Sequence, residues 1–205
     1  MSHRYIVAVK VLVHLACLLP LARLLYGAYH NDLGANPIEV ITRSTGTWTL
    51  VFLLVTLGVA PLRRLPRLHW LIRLRRLLGL WAFTYACLHF TTYVWLDREL
   101  IWPEIPPDIV KRPFITVGFI GFVLLVPLAL TSTKAAVRWL TGRRWQMLHR
   151  LVYLSAICGV IHYLWLVKAD ITQPVIYGVI LAALLGYRLL ARLSARAPSR
   201  LAAKP

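Results

Sequence analysis

The sequence predicts an all-α integral membrane protein: one domain, residues 1–205, bundling about six transmembrane helices with both termini cytoplasmic. Three observations predict it. Apolar residues make up 59% of the chain, against roughly 45–50% in soluble domains, and the mean hydropathy is +0.67. Several windows reach the roughly 20 mostly apolar residues that a bilayer-spanning helix needs. The charged residues sort by loop, basic and acidic clusters alternating along the chain.

The windows are 5–26, 45–62, 74–96, 113–131, 147–167 and 174–191. The first follows a basic start, but its apolar run is too long for a signal sequence and no small-residue cleavage site follows it. It is expected to stay as a span. The second and sixth are the shortest. Pro20 and Pro127 fall inside spans and are expected to kink them, which membrane helices tolerate. Short loops leave no room for an additional soluble domain.

A net charge of +17 raises nucleic-acid binding as a function class. The placement of the charge excludes it, because the basic residues flank apolar runs instead of forming a stripe on polar helices. The acidic residues Asp32, Glu39, Asp97, Glu99, Glu104, Asp108 and Asp170 follow spans one, three and five. Arg63, Arg64, Arg67, Arg73, Arg75 and Arg76 follow span two, and Lys134, Arg138, Arg143 and Arg144 follow span four. A basic tail carries Arg188, Arg192, Arg196, Arg200 and Lys204. Short loops rich in Lys and Arg stay in the cytoplasm. The acidic loops then face the opposite side, the periplasm in a Gram-negative bacterium. Trp95, Trp102, Tyr163 and Trp165 sit at span ends as interfacial anchors. Cys17, Cys87 and Cys158 lie singly in apolar runs and read as small apolar fillers.

The residues that could carry chemistry are histidines, because an ionisable group inside a membrane must find a partner there. His3, His30 and His69 lie at or outside the boundary. His14 has no obvious partner, and packing or a hydrogen bond is expected of it. His89 and His162 are different. Each precedes an aspartate by eight residues, in "HFTTYVWLD" and "HYLWLVKAD", so each ring sits about 12 Å inside that boundary. Spans three and five run in the same direction, which puts the two imidazoles at one depth. Such a pair can supply both axial ligands of a haem iron in a bundle core. His149 lies about 20 Å from His162 along the axis and points about 140° away on an ideal helix, so both cannot ligate one haem. It could ligate a second haem near the basic boundary, or meet a quinone head group or a propionate. Arg75 and Arg76 lie at its depth on span three and are candidates for second-haem, propionate or quinone contacts, or simply mark the boundary. No dinucleotide or phosphate loop and no intramembrane carboxylate occurs, so electron donor and acceptor would be external. Gly118 and Gly121 read as packing glycines.

Three segments, "RRLLGLWAFTYACLHFTTYVWLD" (75–97), "KRPFITVGFIGFVLLVPLALTST" (111–133) and "RRWQMLHRLVYLSAICGVIHYLWLVK" (143–168), closely resemble the MsrQ (YedZ) family. These are haem-binding membrane subunits of the bacterial periplasmic methionine sulfoxide reductase system, in the wider ferric-reductase-like transmembrane family. The resemblance runs from span two onward. It implies haem b, one or two, with His89, His149 and His162 at the family's histidine positions. It implies electrons from membrane quinones and delivery, from the inner membrane, to a periplasmic molybdopterin-containing methionine sulfoxide reductase subunit that repairs oxidised envelope proteins. FMN is also associated with the family. The wider family carries two histidines on each of two helices, and span three here has only one. The outer loop 97–112, "DRELIWPEIPPDIVKR", is the candidate docking surface, since complementary charge guides encounter. The rival readings are another transmembrane electron carrier of ferric-reductase type, a haem-free transporter, and a membrane anchor or assembly factor.

Overall fold

The computed structural model describes residues 3–196. The side chains of His3 and Arg196, and the tail cations Arg200 and Lys204, lie outside the described residues. Eight α-helices follow in order: α1 (His3–Tyr29), α2 (Pro37–Leu62), α3 (Arg75–Thr92), α4 (Ile105–Lys111), α5 (Pro113–Leu130), α6 (Lys134–Leu148), α7 (Leu151–Leu166) and α8 (Thr172–Arg196). No strand occurs among the described residues. Lipid cannot satisfy backbone polar groups, so an apolar chain of this kind closes its hydrogen bonds within helices.

Five stretches are long and apolar enough to cross a membrane: Arg4–Tyr29, Pro37–Leu62, Arg75–Asp97, Pro113–Leu130 and Thr172–Ser194. A sixth forms only if α6 and α7 count together, bent by 40° at their junction. The protein is therefore a multi-pass transmembrane bundle, as the hydropathy predicts. Three boundaries differ from the sequence reading. The second and sixth spans are not the shortest, since α2 has 26 residues and α8 has 25. The first turns of α2 hold Glu39, Thr42 and Arg43 and read as loop by hydropathy. Asn36 caps them, its side chain accepting from the Glu39 amide at 3.2 Å, and Pro37 opens the helix, a placement its missing N–H suits. The helix of the fifth window, α7, starts at Leu151 rather than 147, and reaches a span's length only together with α6 across the bend. Thr131 at the end of α5 receives the Trp145 indole N–H on its carbonyl at 2.9 Å and meets the His149 ring at 3.0 Å, holding residues 149–150 in a turn. Arg188 and Arg192 belong to α8 itself rather than to a tail.

The helices pack as two close pairs. α2 lies along α3 and α5 along α7, and contacts between α3 and α5 and between α2 and α7 join the pairs. α8 covers α2 and α7. Leu57, Ala82, Tyr85 and Ala156 are fully buried in the core this makes. Gly121 lets α5 approach α7, since a Cβ there would stand 3.1 Å from the Cys158 Cβ. The Ser155 hydroxyl donates to the Gly121 carbonyl at 2.8 Å across the same seam.

α1 touches the bundle sparsely and depends on one inserted side chain. Pro20 interrupts its helical ladder. Beside the break the Tyr85 hydroxyl donates to the Cys17 carbonyl at 2.8 Å and accepts from the Leu21 amide at 3.2 Å. It stands between two groups that would otherwise bond each other, a recognised way of interrupting a helix.

The segment 97–112, the candidate docking surface, is mostly exposed yet folded. A π-helical turn, Tyr93–Asp97, ends α3, and a 3-10 turn, Trp102–Glu104, leads into α4. Asp108 ties the segment together. It pairs with Arg98 at 3.0 Å and with Arg112, and it accepts from the Tyr93 hydroxyl at 2.6 Å. Arg98 and Arg112 also lie 3.3 and 4.0 Å from Asp97. Two of its four carboxylates are therefore neutralised inside the segment, and Glu99 and Glu104 remain as its outward acidic charge. At the start of α8, Asp170 accepts from the Thr172 amide at 2.9 Å, and Thr172's hydrogen bonds hold its carboxyl below the usual range.

Candidate functional site

α3 and α7 bring His89 and His162 together edge-on, with ring centroids 6.1 Å apart and planes inclined by 69°. Each ring is held by the helix paired with its own. His89 Nδ1 lies 2.9 Å from the Thr42 carbonyl on α2, and His162 Nδ1 lies 2.6 Å from the Phe114 carbonyl on α5. A carbonyl can only accept. Both Nδ1 atoms therefore carry the proton, and both Nε2 atoms are left with a free lone pair. The same arrangement orients metal-binding histidines generally.

The two helix pairs repeat one local device. Gly46 stands four residues after Thr42, and Gly118 four residues after Phe114. The imidazole passes directly over the glycine in each case. A Cβ at Gly46 would come within 2.9 Å of the His89 ring, and one at Gly118 within 2.8 Å of His162. The histidines were legible from spacing and depth. The glycines and carbonyls beneath them were not, although Gly118 had been read as a packing glycine. A glycine at the depth of an intramembrane histidine on another span is the signal that could have found them.

Between the rings and their helices lies a cavity of about 590 Å³. Phe90, Phe119 and Phe122 line its apolar body, and Arg43 and Arg112 stand at the end that carries the acidic residues. The Thr42 hydroxyl oxygen is buried on its wall without a partner. Among the described residues no group of three His, Cys, Asp or Glu could hold a bare metal ion. Two imidazoles alone complete the coordination of a metal whose other ligands come from a macrocycle. Ligand nitrogens about 2 Å either side of such a metal give a ring separation close to that observed. The donors and the apolar walls fit a haem, while at the mouth Arg43 and Arg112 are already paired with Glu39 and Asp108.

His149 lies elsewhere, in the turn between α6 and α7, and does not reach this cavity. Its ring stacks on Trp145 with centroids 3.9 Å apart. The Thr131 hydroxyl meets its Nε2 at 3.0 Å and lies 2.6 Å from the Pro127 carbonyl. That carbonyl takes the hydroxyl proton, so Nε2–H donates to Thr131 and the free lone pair is on Nδ1, the reverse of the other two histidines. Arg75 is the charged group that acts on it, and Arg76 is exposed. His14 accepts from the Trp81 indole N–H at 2.9 Å, the hydrogen bond expected of it.

The model of the family described as ferric reductase like transmembrane component matches residues 43–160, which spans α2 to α7 and every residue of the site except Thr42 and His162. Among the relatives, each named as the heme-binding subunit MsrQ of protein-methionine-sulfoxide reductase, that of Herminiimonas arsenicoxydans is 57% identical over 86% of this chain and 82% of its own length. The Azospira oryzae protein is 54% identical over 95% and 84%. The Rhodospirillum rubrum protein is 50% identical over 93% of each.

Proposed function

The chain belongs to the MsrQ family, within the ferric reductase like transmembrane class, and we propose that it is a membrane cytochrome b. It takes electrons from the respiratory quinone pool and passes them across the bacterial inner membrane to a periplasmic, molybdopterin-containing methionine sulfoxide reductase. The observation that carries this reading is the His89–His162 pair, both rings oriented through Nδ1 and both lining one cavity.

Bound there, haem b supplies a one-electron iron couple. The protein's residues do the rest. His89 and His162 would hold its iron, and the carbonyls of Thr42 and Phe114 fix their tautomer and raise their basicity. Phe90, Phe119 and Phe122 keep water from the ring faces. Arg43 and Arg112 could reach propionate carboxylates only by sharing with their present partners Glu39 and Asp108. The acidic end faces the periplasm, so electrons leave close to the partner, and the folded 97–112 segment with Glu99 and Glu104 is its docking surface. At the opposite end His149, with Arg75, serves a second haem or the quinone. FMN remains a cofactor of this reading.

A dithionite-reduced minus oxidised absorption spectrum of the detergent-purified protein tests it. Wild type gives sharp b-type bands, and His89→Ala and His162→Ala abolish them. His149→Ala keeps them if it serves quinone, and loses a separable part if it ligates a second haem. Flavin fluorescence of the same preparation reports FMN. Folded wild type without haem would overturn the reading and leave a membrane anchor.

A further inference from the structure

The end of the bundle opposite the acidic residues has a charge problem that the electron-transfer reading touches only through Arg75. All five ion pairs among the described residues join acids at the other end. No carboxylate occurs between Arg43 and Leu96, or from Pro113 to Lys168, or after Asp170. Yet two arginines are drawn into the bundle here. Arg188 of α8 reaches between α2 and α7. Its guanidinium donates to the Leu57 carbonyl at 2.7 Å and to the Tyr153 hydroxyl, and lies 5.0 Å from the Tyr153 ring centroid. Both acceptors are neutral. Its Nε is buried with no partner. Arg75, half-buried at the first turn of α3, lies within electrostatic reach of Arg188, Arg63 and Tyr153.

Like charges brought together at a partly buried position favour an anion, because no carboxylate at this end offsets their repulsion. Its chemistry follows from the donors. Guanidinium forks match the oxygens of phosphate better than a point charge does. Its depth follows from the helix. Arg188 stands 16 residues after Thr172, about 24 Å along α8, near the far edge of a hydrocarbon layer about 30 Å thick. A phospholipid carries its phosphate at that edge, and basic pockets between helices take such head groups. We propose that Arg188 and Arg75, with Arg63 at the rim, form a binding site for a phosphate anion, supplied by an anionic phospholipid head group or by free phosphate. The site does not depend on the His89–His162 pair.

The test uses the full chain, delipidated in an uncharged detergent. Thermal unfolding and native mass spectrometry are read with phosphatidylglycerol, phosphatidylcholine or inorganic phosphate added. Phosphatidylglycerol raises the unfolding midpoint and stays bound, at least tenfold more tightly than phosphatidylcholine. If inorganic phosphate at equal concentration gives the same rise, the source is free phosphate. If it gives none, the source is the lipid. Arg188→Gln weakens binding at least tenfold. Arg192→Gln, exposed one turn further along α8, weakens it less than threefold. Should Arg188→Gln fail to fold, Arg75→Gln and Arg188→Lys take its place, and both weaken binding. Equal binding of the two lipids, equal loss in Arg188→Gln and Arg192→Gln, or wild-type binding by the replacement variants would overturn the proposal.

Discussion

Gly118→Ala puts the most demanding question to the site. The added Cβ would stand 2.8 Å from His162 Nδ1, 3.0 Å from Cγ and 3.1 Å from Cε1. Ordinary contact begins at 3.4 Å, so the ring must retreat by about 0.6 Å. It cannot do so freely, because Nδ1 is bonded to the Phe114 carbonyl one turn away on the same helix. Retreat stretches that bond, worth about 1 kcal/mol, and the overpacking costs about 1–3 kcal/mol more. Replacing a helical glycine returns up to about 1 kcal/mol. A metal–ligand distance tolerates only about 0.2 Å, so the displaced Nε2 leaves its axial position. Haem affinity should fall at least tenfold, with loss of the bis-histidine spectrum while the helical circular dichroism persists. Gly58→Ala is the control, since nothing lies within 4 Å of a Cβ there. It should leave haem untouched. Gly118→Ala with wild-type haem stoichiometry and unchanged bands would refute the reasoning, since the ring would then not be clamped where the structure has it.

Gly46→Ala should act on His89 in the same way but less severely, because its closest approach is 2.9 Å; haem titration of the two variants side by side checks the order. Tyr85→Phe removes the hydroxyl that serves both Cys17 and Leu21. It should cost about 1–3 kcal/mol, seen as a lower unfolding midpoint and faster amide exchange confined to α1. Ser155→Ala should lower stability by about 1 kcal/mol through the lost bond to Gly121, seen as a lower unfolding midpoint. Asp108→Asn leaves Arg98 and Arg112 without their shared carboxylate. Discounted for partial exposure, the loss is about 1–3 kcal/mol, and limited proteolysis should then cut within 97–112.

Much of the fold and part of the site were legible in the sequence, and the division has a physical basis. Hydropathy and charge alternation report partition between lipid and water, so the spans emerged. They report nothing about side chains that cap or pin a backbone. That is why the start of α2, hidden behind Asn36 and Glu39, and the break at His149, held by Thr131, lay beyond them. The equal depth of His89 and His162 followed from counting residues to Asp97 and Asp170, because helical rise is constant. Their orientation did not follow, since the acceptors on Thr42 and Phe114 are main-chain atoms that every residue has. The charge of 97–112 was legible as a count, but the pairing of Arg98 and Arg112 with Asp97 and Asp108 was not, because it depends on how the segment folds.

Main-chain acceptors have a consequence for how the site can vary. No side-chain substitution at Thr42 or Phe114 deletes the carbonyl that holds its histidine. What a substitution can alter is the clearance beneath the ring, and that resides in Gly46 and Gly118. The ring orientation is tied to the helical ladder itself, because in a regular helix the carbonyls of residues 42 and 114 also accept from the amides of Gly46 and Gly118, four residues on. Each imidazole therefore moves with its neighbouring helix as one body. Two helix pairs built in this way present their lone pairs across one cavity with little freedom to reorganise, as a group that gains and loses an electron without changing ligands requires.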